Sequence, residues 1–215
     1  MSDIKYIFFD FNGTILNDVE LCLDLLNEKL IGQNKQTLTM DEYKHVFKFP
    51  IRQYYLDAGL DFNIESYESM ADKFIAKYTP LSLTCGLYPN VVSTLKYLKE
   101  KNIHLIILSA SEMNNLNYQV NQYGISHYFD AVLGINNIYA ESKSGLGINY
   151  IEKNKINKNE CVFIGDTLHD FEIANEMGIE PILVCSGHQA FDVLRESGAT
   201  IINDISDLRR LFEWF

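Results

Sequence analysis

Four short polar clusters in this chain carry residue types that do chemistry together. Asp10, Asn12, Gly13 and Thr14 stand in "DFNGT" (10–14), directly after the apolar run Ile7, Phe8, Phe9. Ser109 follows "LIIL" and precedes Ala110. Lys143 lies in "ESKSG" (141–145), and Asp166 and Asp170 lie in "GDTLHD" (165–170). Three carboxylates held close together repel one another and raise their own pKa values. A hard divalent cation resolves that conflict, and Mg²⁺ takes oxygen ligands while keeping some of its waters. The lysine neutralises charge that remains. The Ser109 hydroxyl and the backbone amides at Gly13 and Ala110 could hold an anion such as phosphate. An aspartate facing a metal-bound phosphate can act as a covalent nucleophile. Each residue alone has a plainer reading: a strand-end Asp is a turn or cap residue, Ser109 an N-cap, and Lys143 a solvated charge. Their joint occurrence points to phosphate chemistry.

These residues can meet only if secondary structure gathers them. Ile4–Asp10, Ile103–Ser109, Asp130–Gly134, Cys161–Asp166, Pro181–Cys185 and Ala199–Ile202 are short apolar runs, most of them ending at polar or glycine residues, and they predict buried parallel strands. Helical patterns lie between them: one opened by Pro89, one over about 144–153, and one from about Asp170 to Met177 stopped by Gly178. A last stripe of Ile205, Leu208, Leu211, Phe212 and Phe215 closes the chain. Alternation of strand and helix from residue 87 onward predicts a parallel α/β sheet covered on both faces. In such sheets ligands bind at the carboxyl ends of the strands, near the point where strand order reverses. Asp10, Ser109 and Asp166 are all strand-end residues. The stretch 16–86 breaks the alternation. Leu16, Val19, Leu23, Leu26 and Leu30 repeat at helical spacing, and 41–49, 52–58 and 64–78 read as further helices. The expected organisation is a core of 1–15 and 87–215 with a helical unit, 16–86, inserted after the first strand.

"DFNGT", Ser109 after "LIIL", Lys143 and "GDTLHD", in that order, resemble the four signature motifs of the haloacid dehalogenase superfamily, over nearly the whole chain. Within that superfamily the chain is most similar to the branch of phosphoglycolate-phosphatase-like enzymes with a small α-helical cap. The resemblance implies a Rossmann-like core with a central first strand, and a Mg²⁺-dependent phosphatase of small phosphorylated metabolites. It implies that Asp10 forms an aspartyl-phosphate, that Ser109 holds the phosphoryl group, and that Lys143 neutralises charge on both. Mg²⁺ would be held by Asp10, the backbone carbonyl of Asn12 and Asp166, with Asp170 supporting it through water or pairing with Lys143. Thr14 would fix the turn.

One position departs from the pattern. Where phosphatases of the family carry an acid/base Asp, this chain has Asn12, which neither gives nor takes a proton. General acid–base catalysis is typically worth ~10²–10⁴-fold. The sequence therefore leaves several readings open: a substrate with a good leaving group, a slow phosphatase, a phosphate-binding or regulatory protein, or a specialised transfer or C–P-cleaving enzyme using a cap lysine (Lys29, Lys44 or Lys48). Deamidation at Asn12-Gly13 would restore the acid, and His169 is the nearest substitute base in sequence. Arg52, in "FKFPIRQYY" (47–55), is the residue expected to clamp the substrate's far end.

Composition bounds the rest. The chain has 215 residues, 47% of them hydrophobic and 22% charged, enough for a real core. A formal net charge of -11 argues against a nucleic-acid face. Cys22, Cys85, Cys161 and Cys185 form no C-x-x-C pair and read as buried free thiols of a reducing compartment. Asp10 interrupts the only early apolar stretch, so no secretory leader is expected, and no segment approaches the ~18 apolar residues that a membrane span needs. The expectation is a cytoplasmic monomer or homodimer.

Overall fold

Ile7, Phe8 and Phe9 are completely buried because the strand that carries them lies at the middle of the molecule. The computed structural model describes residues 4–135 and 142–212. Its strands are β1 (Tyr6–Phe9), β2 (His104–Glu112), β3 (Ala131–Ile135), β4 (Cys161–Gly165), β5 (Glu180–Val184) and β6 (Thr200–Ile202). All pair in parallel in the order β3-β2-β1-β4-β5-β6, a Rossmann-like α/β sheet. Strand order reverses beside β1, between β1 and β4, where such sheets leave a crevice at the carboxyl ends.

Helices α1 (Val19–Gly32), α2 (Met40–Val46), α3 (Ile51–Asp57) and α4 (Tyr67–Ser82) intervene between β1 and β2. The remaining helices are α5 (Val91–Glu100), α6 (Met113–Gln122), α7 (Lys143–Lys153), α8 (Leu168–Met177), α9 (Phe191–Arg195) and α10 (Leu208–Phe212). Side-chain alternation along β1 feeds both faces of the sheet. Ile7 and Phe9 pack with Val91, Leu95, Leu116 and Leu208, whereas Phe8 packs with Ile106, Phe163, Ile173 and Met177. Helices α1–α4 bury a core of their own around Leu26, Leu30, Tyr43, Tyr54 and Met70. We refer to this helical unit as the cap. Leu16 and Leu87 pair as an antiparallel bridge where the chain leaves the core and returns to it.

Several local expectations shift. Helix α4 continues through Pro80 to Ser82, four residues beyond the expected end at Tyr78. Strand β2 runs on past Ser109, with an irregular register between Leu108 and Glu112. Helices α6 and α9 have no counterpart among the expected helices. The thiols are all free, but Cys85 and Cys185 are only half buried. Phe215 and Glu141 lie outside the described residues, as do the ends of the expected core, 1–3 and 213–215. Among the described residues no helix is long and apolar enough to cross a membrane.

Candidate active site

Strand ends assemble the chemistry. Asp10 directly follows β1, and its N–H donates to the Ile164 carbonyl at 2.8 Å, which extends the ladder by one rung. Asp166 directly follows β4, and Asp170 sits in the first turn of α8. Carboxylate oxygens of Asp10, Asp166 and Asp170 lie within 4.8 Å of one another, all three residues buried. Lys143, the first residue of α7, bridges two of them: its Nζ is 2.5 Å from Asp10 Oδ1 and 2.7 Å from Asp170 Oδ1. The other oxygen of Asp170 accepts from the Asp166 N–H, the Thr167 N–H and the Thr167 hydroxyl, so Asp170 is a brace for Lys143 and for the turn.

Asp166 is held as firmly. Thr14, buried, donates its hydroxyl to Oδ1 at 3.0 Å, and the His188 N–H donates to Oδ2 at 2.7 Å. Gly13 makes this approach possible. Its φ is +72°, and a Cβ there would sit 2.4 Å from Asp166 Oδ2. Gly13→Ala is therefore expected to cost about 1–3 kcal/mol from the strained backbone, before any cost of displacing Asp166. Denaturant unfolding of the variant measures it.

The electrostatics show surplus negative charge. Burial, reinforced by Asp170 and Asp166 against the pull of Lys143, pushes Asp10 up to about 8. Burial raises Asp166 to about 6 although His188 opposes it. Burial works against the charge of Lys143, but Asp10 and Asp170 outweigh it and hold the ammonium above the ordinary lysine range. Three buried carboxylates facing one lysine, with only oxygen donors, form a set suited to a hard divalent cation.

Asn12 sits in a network that sequence reasoning missed. Its Nδ2 donates to Asp18 Oδ2 at 3.2 Å and to the Tyr78 hydroxyl at 2.5 Å, while its Oδ1 accepts from the Ser111 hydroxyl at 2.9 Å. Asp18, 1% exposed, also accepts from the Tyr78 hydroxyl and the Gly13 N–H, and its Oδ1 lies 3.4 Å from His188 Nε2. Burial opposes the Asp18 charge, yet His188, Tyr78 and Asn12 overcome it and hold the carboxyl below its usual range. His188 is the mirror image: burial disfavours its charge, and Asp18 chiefly restores it. Its ring also meets the Tyr43 hydroxyl at 2.7 Å and stacks on Phe47, so it ties the cap to the core. A signal for His188 existed, since Ser186–Gln189 is another polar turn after a strand. Asp18, Tyr78 and Ser111 carried none.

Asp10, Asn12, Ser109, Ala110, Lys143, Asp166 and Asp170 line one cleft of about 370 Å³, together with His169, His188 and cap side chains. Gly13 and Thr14 do not line it. The Gly13 N–H, expected to face phosphate, is engaged by Asp18 and by the Leu16 carbonyl. Ser109 Oγ accepts from the Ser111 N–H at 3.1 Å. The structure does not bring Arg52 to the cleft either. Its guanidinium lies 4.8 Å from the Phe62 ring centroid and 5.3 Å from that of Tyr67, and it pairs with Glu68 at 3.6 Å. Lys29 donates to the Met70 carbonyl, Lys44 to the Ser186 carbonyl, and Lys48 pairs with Asp57, so none of the three cap lysines named above lines the cleft. His169 does reach its rim, paired with Glu172 and stacked on Phe49.

The chain is similar to known proteins over nearly its whole length. A phosphoglycolate phosphatase of Pasteurella multocida is 24% identical over 224 residues, covering 99% of this chain and 100% of the relative. One of Aliivibrio fischeri is 19% identical over 213 residues, covering 94% and 93%. The crystal structure of a predicted phosphatase from Clostridium acetobutylicum superposes with a TM-score of 0.79 at 19% identity, covering all of both chains. Residues 7–184, from within β1 to the end of β5, match the haloacid dehalogenase-like hydrolases, and the chain belongs to that family.

Proposed function

We propose that this protein is a Mg²⁺-dependent phosphatase of small phosphorylated metabolites that works through an aspartyl-phosphate on Asp10. The observation that carries this reading is the Asp10–Lys143–Asp170 bridge at the carboxyl end of the central strand, opening into one cleft with Ser109 and Asp166. The phosphatase names of its relatives support it. It is read as a cytoplasmic protein, monomeric or dimeric.

Asp10 and Asp166, with the Asn12 carbonyl, would hold the ion, which when bound supplies positive charge to the transferring phosphoryl oxygens. Lys143 fixes Asp10 in place and offsets its charge. An Asp10 carboxylate oxygen attacks phosphorus, the bond from phosphorus to the leaving oxygen breaks, and the leaving oxygen departs with the bonding pair. Water then attacks the phosphorus of the aspartyl-phosphate, which releases inorganic phosphate and returns the Asp10 carboxylate. Ser109 would orient the phosphoryl group, and the cap keeps bulk water from the cleft. Asn12 supplies no proton to either step.

Chelation tests the metal. Phosphate release from an aryl phosphate is expected to disappear in excess EDTA and to return with added Mg²⁺. Undiminished turnover in EDTA would overturn the metal assignment. A binding-only role predicts no phosphate release in either condition.

A further inference from the structure

The cap closes the cleft with Phe47, Phe49, Ile51 and Phe74. Behind that wall lies a second cavity of about 250 Å³, which shares Phe47, Ile51 and Phe74 with the cleft and is otherwise lined by side chains such as Leu26, Tyr54 and Ile75. Among the described residues no lysine or arginine of the cap lines the cleft. On the cap side, a substrate's non-transferred end therefore meets aromatic and aliphatic carbon. A carboxylate or second phosphate placed there would lose its hydration without gaining a cation, which is costly. The basic side chains that do reach the cleft belong to the core: Lys143 is taken by Asp10 and Asp170, His188 faces Asp18, and His169 is paired with Glu172.

Asn12 points the same way for a separate reason. Asn12 gives the leaving oxygen no proton, which favours a leaving group that is stable as its anion. An alkyl alcohol leaves as an alkoxide, nearly as basic as hydroxide, whose conjugate acid water has a pKa of about 15.7. A phenol leaves as a phenolate, with a pKa of about 10. A flat aromatic leaving group satisfies both the apolar wall and the missing acid.

We infer that the site is built for small aryl phosphomonoesters, with the ring against Phe47, Phe49, Ile51 and Phe74, and not for phosphoglycolate or another substrate with a second anionic end. This rests on the phosphatase reading above, so the test measures binding without turnover. Two inert ligands, phenylphosphonate and 3-phosphonopropionate, are titrated calorimetrically into the full chain with Mg²⁺. Phenylphosphonate is expected to bind at least tenfold more tightly and with a negative heat-capacity change. Phe74→Ala is expected to weaken phenylphosphonate by about 10–100-fold, the order set by losing one buried aromatic contact, and to leave phosphonopropionate within about twofold. Phe74→Leu, which keeps an apolar side chain, should retain most of the preference and serves if the alanine variant melts early. Ile51→Arg should reverse the preference by supplying the missing cation. Equal affinities, tighter binding of phosphonopropionate, or failure of phenylphosphonate to bind would overturn the inference. Tight phenylphosphonate binding by a protein that hydrolyses no phosphate ester would support this site and count against the phosphatase reading alone.

Discussion

Asp10→Asn is expected to lower turnover of an aryl phosphate by about 10⁴–10⁶-fold, the range seen when a covalent nucleophile is removed, and to abolish acid-trappable phosphoenzyme. An amide oxygen is a far weaker nucleophile than a carboxylate. The substitution is nearly isosteric, so a second readout separates chemistry from folding. Asp10 is pushed up to about 8 chiefly by burial, with Asp170 and Asp166 adding to it. A carboxyl whose folded pKa is raised binds more protons when folded, so it lowers stability as pH rises from about 4 towards 8. Removing that charge is expected to raise the melting temperature of the metal-free protein near neutral pH and to flatten its pH dependence. Lost activity with unchanged or higher stability assigns Asp10 to the chemistry. A variant that turns over like the parent would end the covalent mechanism.

Asp10, Ser109 and Asp166 were legible because each ends an apolar run, and a parallel sheet sends all such ends to one edge. Lys143 and Asp170 followed from their place after the third and fourth strands. The sheet was equally legible, because strands buried on both faces have no polar alternation to hide them. The cap was harder. Its helices show in the spacing of Leu23, Leu26 and Leu30, but spacing does not say which face meets the core or where a long side chain turns. Arg52 had the right chemistry for a clamp, yet the rings of Phe62 and Tyr67 and the carboxylate of Glu68 hold it away from the cleft. Phe74 and Tyr78, one turn apart on α4 with stacked rings, pack against the cap core and also reach the cleft wall and the Asn12 network, which helical spacing alone does not show. Asp18 stands six residues past Asn12, at the N-cap position of α1, and its side chain caps nothing in that helix.

Asp18 changes what is expected of Asn12→Asp. In isolation that substitution would supply the missing acid and base, worth up to the ~10²–10⁴-fold that general catalysis gives. Here the new carboxylate would stand where Nδ2 now donates to Asp18 Oδ2 at 3.2 Å. Two bare charges at that separation repel by roughly 5 kcal/mol at an effective dielectric near 20. They escape by sharing a proton, which raises one pKa of the pair. The wild type, lacking a base for the second step, is expected to release phenol in a burst of about one equivalent and then turn over slowly. Asn12→Asp should shorten the slow phase and raise alkyl phosphate turnover by only part of the available range, with a pH optimum set by the shared proton. Asn12→Asp combined with Asp18→Asn puts the amide on the other partner, so a donor again faces a carboxylate. The double variant should exceed the single one in the dephosphorylation rate, whereas Asp18→Asn alone should not gain. Stopped-flow burst analysis of all four proteins gives both steps, after mass spectrometry has shown that Asn12 is intact and not deamidated. If the single and double variants gain equally, Asp18 does not restrain this position. If neither gains, the proton comes from elsewhere, and His188, which lines the same cleft beside Asp18, is the residue to replace next.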